Sequence, residues 1–218
     1  MQPLESILYE SAKRHKHLCP RQILGARMAL LAGEVLGLEL PRVDKRLLII
    51  AETDGCAVDG IIAATGCNAG GRTLRILDFG KVAATFVDTY TEDAIRIIPS
   101  GQSRSLALIQ APNARNDWEA MLLSYKVMPV EDLFRCQHVC LNSSLVEIIS
   151  KPSKKARCEI CGEEIINGRE VLHNHLVLCR SCAGEKYYEA LRSPKPYWRT
   201  NLKSGCLSDK AFEGDSTL

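Results

Sequence analysis

Two pairs of cysteines in the C-terminal third of the chain have the spacing of metal ligands. The chain reads CEIC at 158–161 and CRSC at 179–182, with 17 residues between the pairs. A structural zinc takes four soft ligands in a tetrahedron, and each CxxC turn supplies two thiolates from one tight loop. The pattern therefore predicts a structural zinc bound by Cys158, Cys161, Cys179 and Cys182.

The segment around these cysteines is predicted to be a small zinc finger over 158–193. The residues between the pairs alternate in polarity around Asn167–Gly168, which indicates a hairpin. A helix predicted over 183–193 would place the second cysteine pair at its N-terminus, where the helix dipole favours thiolates. Knuckle, hairpin and helix together predict a treble clef, which metal must hold folded because so short a segment has little core. His173 and His175 are interpreted as surface residues of the hairpin.

A second group of potential ligands lies near the N-terminus. The stretch HKHLCP places His15, His17 and Cys19 at successive i+2 positions. In an extended chain these side chains share one face, and the following proline biases Cys19 toward extended backbone. Pro20 also suits the first position of a helix, which predicts Cys19 at or near the N-cap, where a thiolate is stabilised. Imidazole and thiolate together suit zinc or a similar divalent metal.

Cys56 is predicted to reach the same metal as His17 and Cys19. It lies in the motif ETDGC, between a short buried strand and a helix of small residues. Two helix N-termini that meet in one pocket would stabilise both thiolates and so favour a divalent cation. Asp59 lies three residues later on the same helical face. In the alternative interpretation, Cys56 is a small core residue and Asp54 an ordinary helix cap.

A third group, Cys136, His138 and Cys140, forms the run RCQHVC. In an extended chain all three side chains would share a face. Nothing nearby repeats the pattern, so we interpret these residues as something other than a ligand set.

The elements that must position these groups mix strands and helices. Strands are predicted over 47–51, 73–77, 81–88 and 94–98, with a tight turn at Asp78–Gly80 joining the second to the third. Helices are predicted over 20–38, 57–66 and 117–127, the last stopped by Pro129. Because strands and helices do not alternate strictly, we predict an α+β core domain with a mixed sheet over 1–150. The polar stretch 151–157 is interpreted as a linker, and 194–218 as a polar tail.

Composition excludes several classes of protein. The chain is 46% hydrophobic and 25% charged, which is ordinary for a globular protein. No window approaches 18 uncharged apolar residues, so no membrane span is expected. The N-terminal stretch lacks a basic-then-apolar signal pattern, from which we expect a cytoplasmic protein. A net charge of +2 does not favour non-specific binding of nucleic acid by the whole chain.

Three stretches resemble the FmdE family, which is named after a component of formylmethanofuran dehydrogenase. They are RHKHLCPRQILGARMA, AETDGCAVDGIIAATGCNAGG and TLRILDFGKVAATF, and their candidate residues and motifs lie between His15 and Phe86. The C-terminal finger extends the resemblance over most of the chain. The resemblance implies an α+β core, often paired as a homodimer, with a metal or catalytic pocket. The site residues that it implies are His17, Cys19, Cys56 and Asp59, with His15, Cys67 and Lys81 as further candidates.

Two kinds of function remain open. In one, the chain is a non-catalytic accessory or ligand-binding protein with zinc or another divalent metal in the core and a finger that docks a protein partner. In the other, it is a metal-dependent enzyme with catalytic residues Cys56, Asp59 and Lys81. Its core metal would keep one position open for water or substrate, with Asp59 as general base and Lys81 as electrostatic stabiliser. Nucleic-acid binding by the finger is disfavoured because no stripe of aromatic and basic residues is present.

Overall fold

The protein is described by a computed structural model that covers residues 2–15, 17–149 and 153–189. The chain divides into two compact units, one that ends at Ile149 and one formed by the described residues after it. Within the described ranges, no helix has the length and apolar character that crossing a bilayer requires.

The first unit packs helices against one mixed sheet, which confirms the predicted α+β class. The helix predicted from Pro20, the helix after Cys56 and the helix stopped by Pro129 are all present. In chain order the elements are α1 (Leu4–His15), α2 (Pro20–Leu36), β1 (Leu47–Ala51), α3 (Ala57–Thr65), β2 (Leu74–Ile76), β3 (Ala84–Asp88), β4 (Ala94–Pro99), α4 (Ser103–Gln110), α5 (Asp117–Val127), α6 (Val130–Leu133), β5 (Phe134–His138) and α7 (Leu145–Ile148).

The sheet has the strand order β2-β1-β3-β4-β5, with β2 parallel to β1 and the remaining pairs antiparallel. The strands predicted over 73–77 and 81–88 exist as β2 and β3, but the prediction that a tight turn joins them directly was wrong. β1 lies between them, since Ile49 is paired with β2 on one side and with β3 on the other. The connection instead crosses the end of β1, where the Phe79 and Lys81 N–H groups each donate to the Glu52 carbonyl at 3.0 Å.

One face of this sheet carries the main core. Ile49, Phe86 and Ile95 lie side by side across β1, β3 and β4, and each is at most 1% exposed. They belong to the same buried cluster as Ile23 and Met28 of α2. Each such side chain contributes about 1.5–3 kcal/mol when it is fully buried, so this cluster is large enough to hold α2 in place on the sheet.

Two glycines let α2 and α3 approach closely. A Cβ atom on Gly25 would lie 1.9 Å from the Ala57 carbonyl oxygen, and a Cβ on Gly60 would lie 2.0 Å from the Gln22 carbonyl oxygen. Any larger side chain at either position would push the helices apart. The contact lies within two turns of both helix N-termini, and it therefore fixes where the first residues of α2 and α3 meet.

The second unit consists of two short hairpins. Strand β6 (Lys155–Arg157) pairs with β7 (Glu164–Ile166), and β8 (Val171–His173) pairs with β9 (Leu176–Leu178). Asn167–Gly168 thus joins two hairpins instead of forming one, contrary to the prediction, because β7 pairs backward across the first CxxC turn. The last hairpin turns at Asn174 and His175, both of which have positive φ.

Two further expectations about this unit differ from the structure. Residues 155–157 of the predicted linker 151–157 form strand β6. The helix predicted over 183–193 is missing over 183–189, where a turn is followed by irregular chain. Gly184 has φ 111°, which a right-handed helix does not allow, and the treble clef predicted from that helix is incomplete as far as residue 189. Residues 190–193 of the predicted helix and the predicted tail 194–218 lie outside the described residues.

Candidate functional site

Cys19 is the N-cap of α2, as its position before Pro20 predicted. Its backbone is extended, with φ −126° and ψ 159°, and its N–H donates to the Gln22 side-chain oxygen at 2.7 Å. The Gln22 amide in turn donates to the Ser11 carbonyl of α1 at 3.0 Å. Gln22 is fully buried, so the start of α2 is fixed both to its own first turn and to α1.

Cys56 is the N-cap of α3, in the loop that follows β1. The Gly55 N–H donates to the Thr53 hydroxyl at 3.1 Å, and the Val58 N–H donates to the Gly55 carbonyl at 2.9 Å. These bonds form a tight turn just before the helix. Cys56 is half-buried at this turn, while Asp54 is exposed.

The structure brings the thiols of Cys19 and Cys56 together. Their Sγ atoms are 3.0 Å apart, although 37 residues separate them in the chain. The close contact of α2 with α3 through Gly25 places the two N-caps side by side. Two soft donors of the type that thiophilic divalent cations prefer therefore lie next to each other.

The Cys56 thiol holds its proton more tightly than its position at a helix N-terminus alone predicts. Burial raises the pKa of Cys56 to about 11, and the hydrogen bond to Cys19 and the charge of its thiolate add to this effect, while Arg21 opposes it. At Cys56, burial therefore outweighs the expected stabilisation of the thiolate by the helix N-terminus when no metal is bound. A bound cation would have to displace the Cys56 proton.

The histidines take a different position from the one predicted. His15 is the last residue of helix α1, so the run from His15 to Cys19 is not extended throughout. The His15 and His17 ring centroids are 4.9 Å apart, and both side chains are exposed. The His15 Nδ1 lies 3.5 Å from the carboxylate of Asp59, which follows Cys56 in the first turn of α3.

Two further residues implied by the resemblance, Cys67 and Lys81, make contacts with other parts of the unit. The Cys67 thiol is buried and donates to the carbonyl of Leu47 at 3.6 Å, at the start of β1, whereas Cys56 follows the end of that strand. The Lys81 side chain is exposed, with its ammonium 5.9 Å from the Phe79 ring centroid.

A buried ion pair beside the loop was missed by sequence reasoning. Glu52, which begins the loop to Cys56, is 7% exposed, and its two carboxylate oxygens accept from the Arg96 guanidinium at 2.5 and 2.8 Å. Hydrogen bonding from Arg96 lowers the pKa of Glu52, against the opposite effect of burial. Since 44 residues separate the partners, only the pairing of β1, β3 and β4 reveals the contact.

The four cysteines of the second unit form a compact cluster. Their sulfur atoms all lie within 4.8 Å of one another, and this cluster could hold a metal ion. Among residues 2–15, 17–149 and 153–189, no other group of three or more His, Cys, Asp or Glu side chains converges in this way. The arrangement is compatible with a small zinc-binding finger. The histidines of the core do not form such a group with Cys19 and Cys56 as the structure stands.

The protons of this cluster are distributed unevenly. Burial alone would raise the pKa of Cys158, but backbone N–H groups of Cys161, Cys179 and Ile160 lower it to about 6. Burial and the neighbouring sulfurs instead raise the pKa of Cys182 to about 12. Without a cation, Cys158 is thus deprotonated at a lower pH than Cys182. A bound cation would displace the protons of the remaining thiols.

Comparison with known proteins identifies a family, a curated relative and a solved structure of similar fold. The family model described as "FmdE, Molybdenum formylmethanofuran dehydrogenase operon" matches residues 14–135, which include the thiol pair and exclude the four-cysteine cluster. A protein of Archaeoglobus fulgidus named "Probable S-adenosyl-L-methionine-binding protein" is 29% identical over 208 aligned residues, which cover 84% of this chain and 54% of that protein. The chain thus spans about half the length of this curated relative.

Among solved structures, the crystal structure of a tungsten formylmethanofuran dehydrogenase FmdE-like protein from Syntrophus aciditrophicus matches with a TM-score of 0.57. It is 21% identical in sequence, and the match covers 85% of this chain and 95% of that one. At this identity the likeness shows a shared fold.

Proposed function

Because the chain belongs to the FmdE family, we propose that it is a metal-binding accessory or ligand-binding protein with two separate metal centres. The core centre holds zinc or another divalent cation through Cys19 and Cys56. The second centre holds a structural zinc through the four-cysteine cluster. The observation that carries the proposal is the 3.0 Å separation of the Cys19 and Cys56 sulfurs, which the fold assembles from distant parts of the chain.

The donor set of the core centre suits a borderline or soft divalent metal. Two thiolates and an imidazole are ligands that zinc and its neighbours prefer, and His17 is two residues from Cys19. The His17 side chain is exposed, so packing does not prevent its ring from rotating toward the thiols. His15 and Asp59 stand beside it as a pair that can hold the ring or take a proton.

The four-cysteine cluster fits zinc by the same reasoning from donor chemistry. In a tetrahedral site with Zn–S bonds of ~2.3 Å, sulfurs are roughly 3.8 Å apart. The Cys161 and Cys179 sulfurs are 3.9 Å apart. Zinc in this position would add to the stability that the small apolar cluster of the second unit supplies.

Metal analysis of purified full-length protein tests the core centre. We expect two equivalents of divalent metal in the wild-type protein and one in Cys56→Ser. Cys67→Ser is the matched control, because it removes a buried cysteine of the same unit that lies at the other end of β1. Two equivalents in Cys56→Ser, or one in the wild type, would contradict the proposal.

The alternative function is a metal-dependent enzyme, and the pairing of His15 with Asp59 at 3.5 Å favours it. In that case Asp59 is the general base and Lys81 an electrostatic stabiliser. If the protein is an enzyme, Asp59→Asn should abolish its turnover while both metal equivalents stay bound to the protein. An accessory protein would instead bind its ligand equally well with this substitution. S-adenosyl-L-methionine is the first ligand to titrate, since the relative from Archaeoglobus fulgidus carries it in its name.

The same proposal includes a homodimer in the cytoplasm. Thiolate ligands persist in a reducing compartment, which supports the location. Edge strand β2 and the following loop expose Ile76, Leu77 and Phe79, which supports a self-association surface. Light scattering of the full-length protein should give twice the chain mass, and Phe79→Ser should shift it toward one chain. We also propose that the finger binds a protein partner and not a nucleic acid.

A further inference from the structure

Cys19 and Cys56 are close enough to react with each other as well as to bind a cation. Both are free thiols, and their sulfurs are 3.0 Å apart. A disulfide has an S–S bond of about 2.05 Å, so the sulfurs need to approach by only about 1 Å. The loop at 52–56 can supply this movement, because its turn at Gly55 lies outside regular secondary structure.

The two thiols differ in their access to solvent. Cys56 is half-buried, whereas Cys19, at the start of α2, is only 8% exposed. A small oxidant therefore reaches Cys56 first, and Cys19 is the neighbouring thiol that can resolve the product. The other cysteines of this unit are placed differently: Cys67 is buried against a backbone carbonyl, and Cys136 and Cys140 are exposed.

We propose that Cys19 and Cys56 form a reversible disulfide that switches the core metal centre off. This inference rests on the proposed function, since it concerns the ligands of that centre. The oxidant is a hydroperoxide, and the reductant is a cellular dithiol. In the reduced state both sulfurs are available to a cation, and in the oxidised state neither is.

Hydrogen peroxide oxidises the two thiols to a disulfide in two steps. Cys56 first loses its proton to solvent, and this makes the step slow at neutral pH because burial raises the pKa of Cys56. The Cys56 sulfur then attacks one peroxide oxygen, the O–O bond breaks, and Cys56 becomes a sulfenic acid while the other oxygen takes up the proton and leaves as water. The Cys19 sulfur then attacks the Cys56 sulfur, the S–O bond breaks, and a second water leaves as the disulfide forms. Two thiols lose two electrons and two protons, and hydrogen peroxide is reduced to two waters. A dithiol reverses the reaction by exchange and becomes a disulfide itself.

Peptide mapping of the full-length protein tests this switch. Protein stripped of metal by a chelator and protein reloaded with zinc are each treated with hydrogen peroxide, alkylated and digested with trypsin. Cys19 falls in peptide 17–21, and Cys56 falls in peptide 47–72 together with Cys67. The Cys67→Ser variant therefore removes the ambiguity in the second peptide.

We expect peptide 17–21 joined to 47–72 in the stripped wild type and in Cys67→Ser, with release by dithiothreitol. We expect at least tenfold less of it in the zinc-loaded protein, because the bound cation holds both sulfurs. Stripped protein that has been oxidised should take up one zinc equivalent fewer than the same protein after dithiothreitol treatment. Cys56 recovered only as sulfinic acid or as free thiol, in protein whose circular dichroism is unchanged, would overturn the inference. If the linked peptide forms but the reduced protein never binds core zinc, the disulfide is supported and the proposed core metal centre is refuted. If core zinc binds but no linked peptide forms, the core metal centre is supported and the disulfide is refuted.

Discussion

In the second unit, the four cysteines come from two short turns. Among the described residues, the apolar cluster of this unit has only three buried members, which are Cys158, Ile165 and Leu178. In the first unit, two cysteines meet because an extensive apolar core packs α2 against α3. The finger thus has ligands but little core, and the core centre has few converged ligands on a well-packed support. We infer that metal holds the finger folded, whereas the fold holds the core centre together.

The largest expected effect is the removal of metal from the finger. Structural zinc contributes on the order of 10 kcal/mol to the folding of such modules. Chelation, or the substitution Cys158→Ser, should therefore unfold residues 153–189 while the first unit stays folded. Limited proteolysis followed by mass spectrometry locates the new cleavage sites.

Cys140→Ser is the control for this experiment, because Cys140 is an exposed cysteine of the first unit. It should leave the proteolytic pattern as in the wild type. Equal protection of the finger with and without chelator would show that the second unit folds without metal.

The four-cysteine cluster was predictable because its spacing is local. Two CxxC turns bring their own ligands together whatever the path of the chain between them. The path itself was less predictable: pairing of β7 with β6 rather than β8 depends on backbone contacts across the first turn, and Gly184 ends any helix after Cys182. Asn167–Gly168 forms a turn in either arrangement.

In the first unit, residues at the ends of predicted elements could be placed from the sequence. Cys19 before Pro20 and Cys56 after a buried strand are such positions, and the structure brings their thiols together. His15 was misplaced because α1 was overlooked, although Leu4, Ile7 and Leu8 have helical spacing. The insertion of β1 between β2 and β3 is non-local and left no sequence signal, and the same holds for the pairing of β1, β3 and β4 that brings Glu52 to Arg96.

A second prediction concerns the support of the core centre. Gly60→Ala places a methyl group 2.0 Å from the Gln22 carbonyl, so α2 and α3 must separate. We expect the first unit to lose about 2–4 kcal/mol of unfolding free energy, with release of core metal but not of finger metal. Denaturant unfolding and metal analysis measure the two effects.

Gly101→Ala is the matched control, since a Cβ atom there meets nothing within 4 Å. It should leave both stability and metal content unchanged. Full core metal in a stable Gly60→Ala protein would mean that the contact between α2 and α3 does not position the thiols.

The smallest predicted effect concerns the buried pair beside the loop. Glu52→Gln removes the charge that Arg96 stabilises and should cost about 1–3 kcal/mol at pH 7. Because Arg96 lowers the pKa of Glu52 in the folded protein, the stabilisation is present above the unfolded value of ~4.3 and is lost as pH falls through the folded value. The difference between the two proteins should therefore shrink below about pH 4. Glu10→Gln, at an exposed pair with Lys13, should show no measurable change at any pH.

Crystals of the full-length protein grown with zinc, measured at the zinc absorption edge, test the central claim most directly. We expect two anomalous difference peaks per chain, one among the four finger sulfurs and one about 2.3 Å from both the Cys19 and the Cys56 sulfur. A peak in the finger with no peak at Cys19 and Cys56 would contradict the account.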